Sequence, residues 1–139
     1  MRLDIILRVA AKFILAPLLL FALYVQFHGD YGPGGGFQAG VIAAAAVILY
    51  ALINGQAAAE RIVPGVLVER LVPAGVLIYA AVGVVSMLLG DNFLDYDHLA
   101  HDAVHGQEWG VFLVEAGVFV TVFSSMIAIF YAFAGRRPT

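Results

Sequence analysis

Four long apolar runs, separated by short polar interruptions, organise this chain. They extend from about Val9 to Phe27, Phe37 to Ile53, Leu71 to Leu89 and Gly110 to Phe133. A helix needs roughly 20 mostly apolar residues to cross the hydrocarbon core of a bilayer. Each run ends at a breaker or at charge: Gly29–Asp30, Asn54–Gly55, Gly90–Asp91–Asn92 and Arg136–Arg137. None shows the polar face that a water-exposed helix presents. The predicted fold is an all-α integral membrane protein with four transmembrane helices, forming a single membrane domain over residues 1–139. The first run lacks a small-residue cleavage site at its end and reads as a permanent anchor. Pro73 cannot donate to the carbonyl of Glu69, so the third span either kinks there or begins there.

Charge orients the spans. Arg2, Arg8 and Lys12 precede the second half of the first run, Arg61 and Arg70 lie between the second and third, and Arg136 and Arg137 follow the fourth. Residues 28–36 and 90–109 contain no Lys or Arg. All seven basic residues therefore fall on one side, and the positive-inside rule puts that side, with both termini, in the cytoplasm. The outer loops carry Asp30, Asp91, Asp95, Asp97, Asp102 and Glu108, an acidic face that concentrates cations. Tyr24, Phe27, Phe37, Trp109 and Phe112 mark the outer interface, and Tyr50, Phe130, Tyr131 and Phe133 the inner one.

Composition agrees with the pattern. Apolar residues make up 63% of the chain and charged residues 12%, too few polar groups to cover a water-facing surface. The absence of Cys excludes thiolate chemistry and cysteine-ligated clusters, and a net charge of −3 offers nothing to nucleic acid. No internal repeat suggests a self-sufficient transporter built around a midplane site. No cofactor is expected.

Lipid provides no hydrophobic drive for helix association, so packing relies on small residues. The second span aligns Gly36, Gly40, Ala43, Ala44 and Ala51. The third aligns Gly75, Gly83, Ser86 and Gly90, and the fourth Gly110, Gly117, Thr121, Ser124 and Ala128. The loop from His28 to Gly40 includes the run Gly34, Gly35, Gly36, which suits a tight hairpin whose backbone packs against a neighbour. It lacks the Lys and Ser/Thr of a phosphate-binding loop.

Glu115 is the one clear intramembrane acid. If the fourth span enters hydrocarbon at Gly110, Glu115 lies about 7–8 Å below the outer boundary. It projects opposite the Gly117/Thr121/Ser124 stripe, so that helix has two protein-facing sides. A carboxylate at this depth marks a pairing site with another subunit, part of an ion or proton path, or a side chain that snorkels to the interface, and its partner is a hydrogen-bond donor, a bound cation, a proton or a residue of another chain. His28 and Asp30 at the membrane edge are candidates for the same path. His98, His101 and His105 share one helical face and have a spacing compatible with zinc, but a solvated polar loop is the expected state, so no metal is expected.

Several stretches carry a resemblance. His28-Gly-Asp-Tyr-Gly-Pro-Gly-Gly-Gly-Phe-Gln-Ala-Gly40 resembles the signature of the B-type subunits of the multisubunit sodium/proton antiporters known as Mrp or Mnh. So do Gly90-Asp-Asn-Phe-Leu-Asp-Tyr96, which contains Asn92, Phe93 and Asp95, Trp109-Gly-Val-Phe-Leu-Val-Glu-Ala-Gly-Val118, and the run from Thr121 to Tyr131. The resemblance spans about Arg8 to Phe133. It implies a small, non-catalytic, multi-pass component of a prokaryotic cell membrane, required for assembly and activity of its complex. Its partners would be subunits of the A, C, D, E, F and G types, and the complex would exchange sodium for protons. Related B-like domains occur in ion-pumping membrane-bound hydrogenases, the alternative setting.

The charge asymmetry predicts that reporters at residues 30, 57, 97 and 137 read outside, inside, outside and inside. Labelling of position 97 from the cytoplasm would overturn this topology.

Overall fold

The computed structural model describes residues 2–29, 35–90, 92–95 and 103–135. Those residues form helices and turns, without strands. The helices are α1 (Arg2–His28), α2 (Gly36–Asn54), α3 (Gln56–Ile62), α4 (Gly65–Leu88) and α5 (Ala103–Ala134). Four of them are long and apolar enough to cross a membrane. The expected spans are all present, and most helices overrun them. α1 continues about two turns before Val9, and α5 starts two turns before Gly110. α4 starts at Gly65 and runs unbroken past Pro73, so Pro73 does not open the helix.

The long helices stand in the order α1, α2, α5, α4, with α5 inserted between α2 and α4. Small residues make this possible. A methyl group on Gly36 would collide with the carbonyl oxygen of Glu115, and one on Gly40 would lie 2.9 Å from the carbonyl oxygen of Phe119. On the other flank of α5, a methyl group on Gly75 would strike the Thr121 side chain and sit 2.6 Å from its backbone nitrogen. Gly117 faces the same seam, where an added methyl group would lie 3.0 Å from the carbonyl oxygen of Gly75. The two-sided fourth span is thus realised: Glu115 and Phe119 meet α2, and Gly117 and Thr121 meet α4.

Alanine dominates the buried apolar set, which otherwise contains only Val68, Val82 and Ile127 among the described residues. Large side chains point away from the seams, such as Phe13 at 76% and Leu88 at 81% exposure. That inversion suits a helix row surrounded by hydrocarbon or by other membrane helices, where large apolar groups lose nothing by facing outward. The buried hydroxyls bond within their own helices. Thr121 Oγ1 donates to the Gly117 carbonyl at 2.9 Å, Ser124 Oγ to Val120 at 2.6 Å, and Ser86 Oγ to Val82 at 3.1 Å. These three hydroxyl hydrogens are thereby kept from hydrocarbon.

At the basic end, α3 is an amphipathic insert that the apolar pattern did not separate from the loop. Gly55, at φ 91°, breaks the chain out of α2. Gln56 Nε2 then donates to Glu60 Oε1 at 2.6 Å. The Tyr131 hydroxyl of α5 donates to the Val63 carbonyl at 3.0 Å and ties the α3–α4 corner to the central helix. Ala44, Val68 and Ile127 form the core beneath it, from α2, α4 and α5 respectively.

Gly75→Leu is expected to separate α4 from α5 and to cost at least about 1–3 kcal/mol. This should appear as a lower unfolding temperature in mild detergent. Leu77→Ala, on the exposed face two residues on, should leave that temperature unchanged.

Candidate functional site

Of the residues singled out from sequence, Gly35, Gly36 and Glu115 meet where α1 ends and α2 begins against α5. α1 stops at His28 and turns at Gly29, and the chain re-enters helix at Gly36. Gly35 has φ 109° and ψ −179°, a region that β-branched and bulky residues avoid. Its N–H donates to the Val25 carbonyl at 3.3 Å, which folds the start of α2 back onto the last turn of α1.

The Glu115 carboxylate fits into this turn. A methyl group on Gly29 would lie 2.5 Å from Oε2 and 2.7 Å from Oε1. One on Gly35 would lie 2.6 Å from Oε1. Glycine at both positions is therefore a steric condition for the carboxylate to be where it is. Gly36 brings the α2 backbone against the Glu115 backbone directly. The family-signature glycines and the intramembrane acid form one unit.

The electrostatics follow from placement. No described Lys or Arg lies at this end of the bundle. The carboxylate instead lies at the N-terminus of α2, where first-turn N–H groups have no intrahelical acceptor and the helix dipole is positive. The half-buried His28 stacks on Tyr24, with ring centroids 5.2 Å apart. Phe27 stacks on Phe112 at 5.7 Å, and Trp109 meets Phe112 edge-on at 6.2 Å. Phe27, Trp109 and Phe112 line a shallow pocket with Glu108.

The structure adds Gln26, which sequence reasoning missed. It lies on α1 one turn before Gly29, is 7% exposed, and neither its amide oxygen nor its nitrogen has a hydrogen-bond partner among the described residues. A lone Gln in an apolar helix was a visible signal. Its burial was not, because that depends on which face α2 covers.

The second family stretch is a tight turn after α4. The Asp95 N–H donates to the Asn92 carbonyl at 3.0 Å, and Leu94 has φ 63°. Phe93 lies on Gly83, where an added methyl group would run into its ring. Asn92 is exposed and Asp95 half-buried. This turn seals the end of α4 and is not part of the Glu115 site. Asp30, Gly34, His98 and His101 lie outside the described residues. His105 is exposed in the first turns of α5, and no group of metal-ligating side chains occurs among the described residues.

Comparison with known proteins places this arrangement. The profile of a family described as a domain related to the MnhB subunit of Na+/H+ antiporter matches residues 6–128. Antiporter subunit mnhB2 of Staphylococcus haemolyticus is 31% identical over 140 residues, covering 96% of each chain. The B-type Na(+)/H(+) antiporter subunit from Bacillus subtilis is 28% identical over 135 residues, covering 88% of this chain and 92% of its own. Antiporter subunit mnhB2 of Staphylococcus aureus is 31% identical over 135 residues, covering 88% of this chain and 94% of its own.

Gly35→Val is expected to destabilise the α1–α2 turn by at least about 1–2 kcal/mol, from the positive φ alone, and more because it displaces Glu115. Gly29→Ala, at a position without that backbone demand, should act through the carboxylate, so Gly29→Ala combined with Glu115→Ala should be less harmful than the sum of the two single changes. Unfolding temperatures of the four forms check this.

Proposed function

This chain belongs to the MnhB family of Na+/H+ antiporter subunits, and we propose that it is a small non-catalytic membrane component of a hetero-oligomeric sodium/proton antiporter. In this reading it is needed for assembly and activity of the complex. Its acidic end faces outward and lines an ion or proton access path, with Glu115 as the central group and His28 and Asp30 at the mouth. Its partners are membrane subunits of the A, C, D, E, F and G types in a prokaryotic cell membrane.

One observation carries the site reading: the Glu115 carboxylate is held between Gly29 and Gly35 at the N-terminus of α2. A carboxylate inside an apolar span is costly unless it has a role. The glycine turn holds the acid by shape, with the N-terminus of α2 beside it. The antiporter names of the relatives support this setting over a hydrogenase.

The test is co-purification followed by transport. Pulling this chain from membranes in mild detergent should bring the other antiporter subunits with it. Their absence would overturn the subunit reading. Glu115→Gln should assemble normally yet lower sodium-dependent proton exchange in everted vesicles by about tenfold, the effect of losing roughly 1.4 kcal/mol in the transport step. Full activity of an assembled Glu115→Gln complex would make the acid a structural element and nothing more.

A further inference from the structure

The short helix α3 divides its side chains between two sides of the basic end. Gln56 and Glu60 line a polar recess with Glu69 of α4 and Tyr131 of α5. Ala59 and Ile62 turn the other way and line an apolar groove with α1 and α2. The groove encloses a cavity of about 130 Å³, walled by Leu15 and Leu19 of α1 and by Ala46 and Tyr50 of α2. None of its lining residues is charged. Ala46 and Ala59 are buried at its floor, whereas Leu19 is 44% and Ile62 63% exposed, so the groove is open along its outer side.

Cations stand at the basic end of this groove. Lys12 precedes Leu15 by three residues and Leu19 by seven, so the three share one face of α1. At the helical rise the two leucines lie about 4–5 Å and about 10–11 Å deeper than Lys12. Arg8, one turn before Lys12, lines a second recess with Asp4, Leu52 and Ile53, which puts it beside the last turn of α2. Arg61 stands on the remaining face of α3, next to Ile62. All three basic residues are exposed. The neighbouring acids do not line the groove: Glu60 faces the polar recess and accepts from Gln56, and Asp4 lies in the recess of Arg8. Basic groups at the membrane surface beside an apolar slot between helices suit an acidic lipid headgroup.

We infer that this groove binds one acyl chain of an anionic glycerophospholipid, with the phosphate headgroup on Lys12 and with Arg8 and Arg61 flanking it. The occupant follows from what the groove offers. Its interior rewards only hydrocarbon, and its mouth favours negative charge. A lysine stem packs along apolar surface and leaves its ammonium at headgroup level. Tyr50 adds a ring at the depth where amphipathic rings gather. A spanning helix, about 10–12 Å across with its side chains, would have to clear α3 on leaving the bilayer. An acyl chain starts at headgroup level and needs room only inward. The inference depends on Lys12 lying at a membrane surface, not on which surface that is, and it is independent of the role of Glu115.

The test uses the purified protein, with whatever subunits accompany it, in phosphatidylcholine vesicles containing a trace of lipid with a photoactivatable group in its acyl chain. Photoactivatable phosphatidylglycerol is expected to label residues 15–19 or 46–50. Its labelling there should exceed that by phosphatidylcholine of the same chain at least about fivefold, the effect of one cation near an anionic headgroup. Lys12→Gln should remove most of that preference and leave phosphatidylcholine labelling as it is. Leu19→Trp, which fills the groove from its open wall, should lower labelling by both lipids. Equal labelling by the two lipids in the wild type overturns the inference, because it marks ordinary bilayer contact. A preference that Lys12→Gln leaves undiminished overturns it too, and so does the absence of label from these residues, the result expected where a neighbouring polypeptide fills the groove. The wild-type comparison alone decides if either variant fails to assemble. Label is read on this chain itself, so the outcome stands apart from co-purification and from exchange by Glu115→Gln.

Discussion

Everything in this structure depends on how closely two backbones approach α5. In hydrocarbon, apolar side chains gain little by turning toward each other, and association rests on close contact and on satisfied polar groups. α5 receives such contact on both flanks. Gly36 and Gly40 bring α2 against the carbonyls of Glu115 and Phe119, and Gly75 brings α4 against Gly117 and Thr121. With α5 held on two sides, α1 needs only to lie along α2, and its alanines Ala11 and Ala22 do that. The large residues turn outward for the same reason that the small ones turn inward.

The close approach also sets the terms for polar atoms. A hydroxyl or carbonyl at a seam has no water to fall back on, so each must find a protein partner. Thr121, Ser124 and Ser86 bond back to their own helices, and Tyr131 closes the α3–α4 corner. The amide of Gln26 departs from this rule among the described residues. A glycine turn, a helix N-terminus and an acid in one small volume set this end apart from the rest of the bundle.

The two ends of the helix row are built differently. The basic end, with α3 and the Tyr131 tie, is built from ordinary packing and fixes the helix row. The acidic end has the titratable group and the backbone that shapes its surroundings. The Glu115 carboxylate sits where Cβ atoms on Gly29 and Gly35 would be, against the α1–α2 turn. The large apolar side chains of α1 and α4 face outward.

The amino-acid sequence alone determined the four spans and the small-residue stripes and singled out Glu115, because these follow from local quantities: run length, the helical repeat and the cost of a charge in hydrocarbon. The resemblance of the His28–Gly40 and Trp109–Val118 stretches to one antiporter family was equally legible, since it depends on residue identity. The sequence did not show that those two stretches touch, and it left the partner of Glu115 open between a donor, a cation, a proton and another polypeptide. Only the tertiary structure decided that its surroundings are Gly29, Gly35 and the N-terminus of α2. Glycine presents no side chain whose chemistry announces a partner, and a helix N-terminus acquires its field only once the turn before it is built. The burial of Gln26 was decided at the same level, because hydropathy along one helix does not reveal which face the next helix covers.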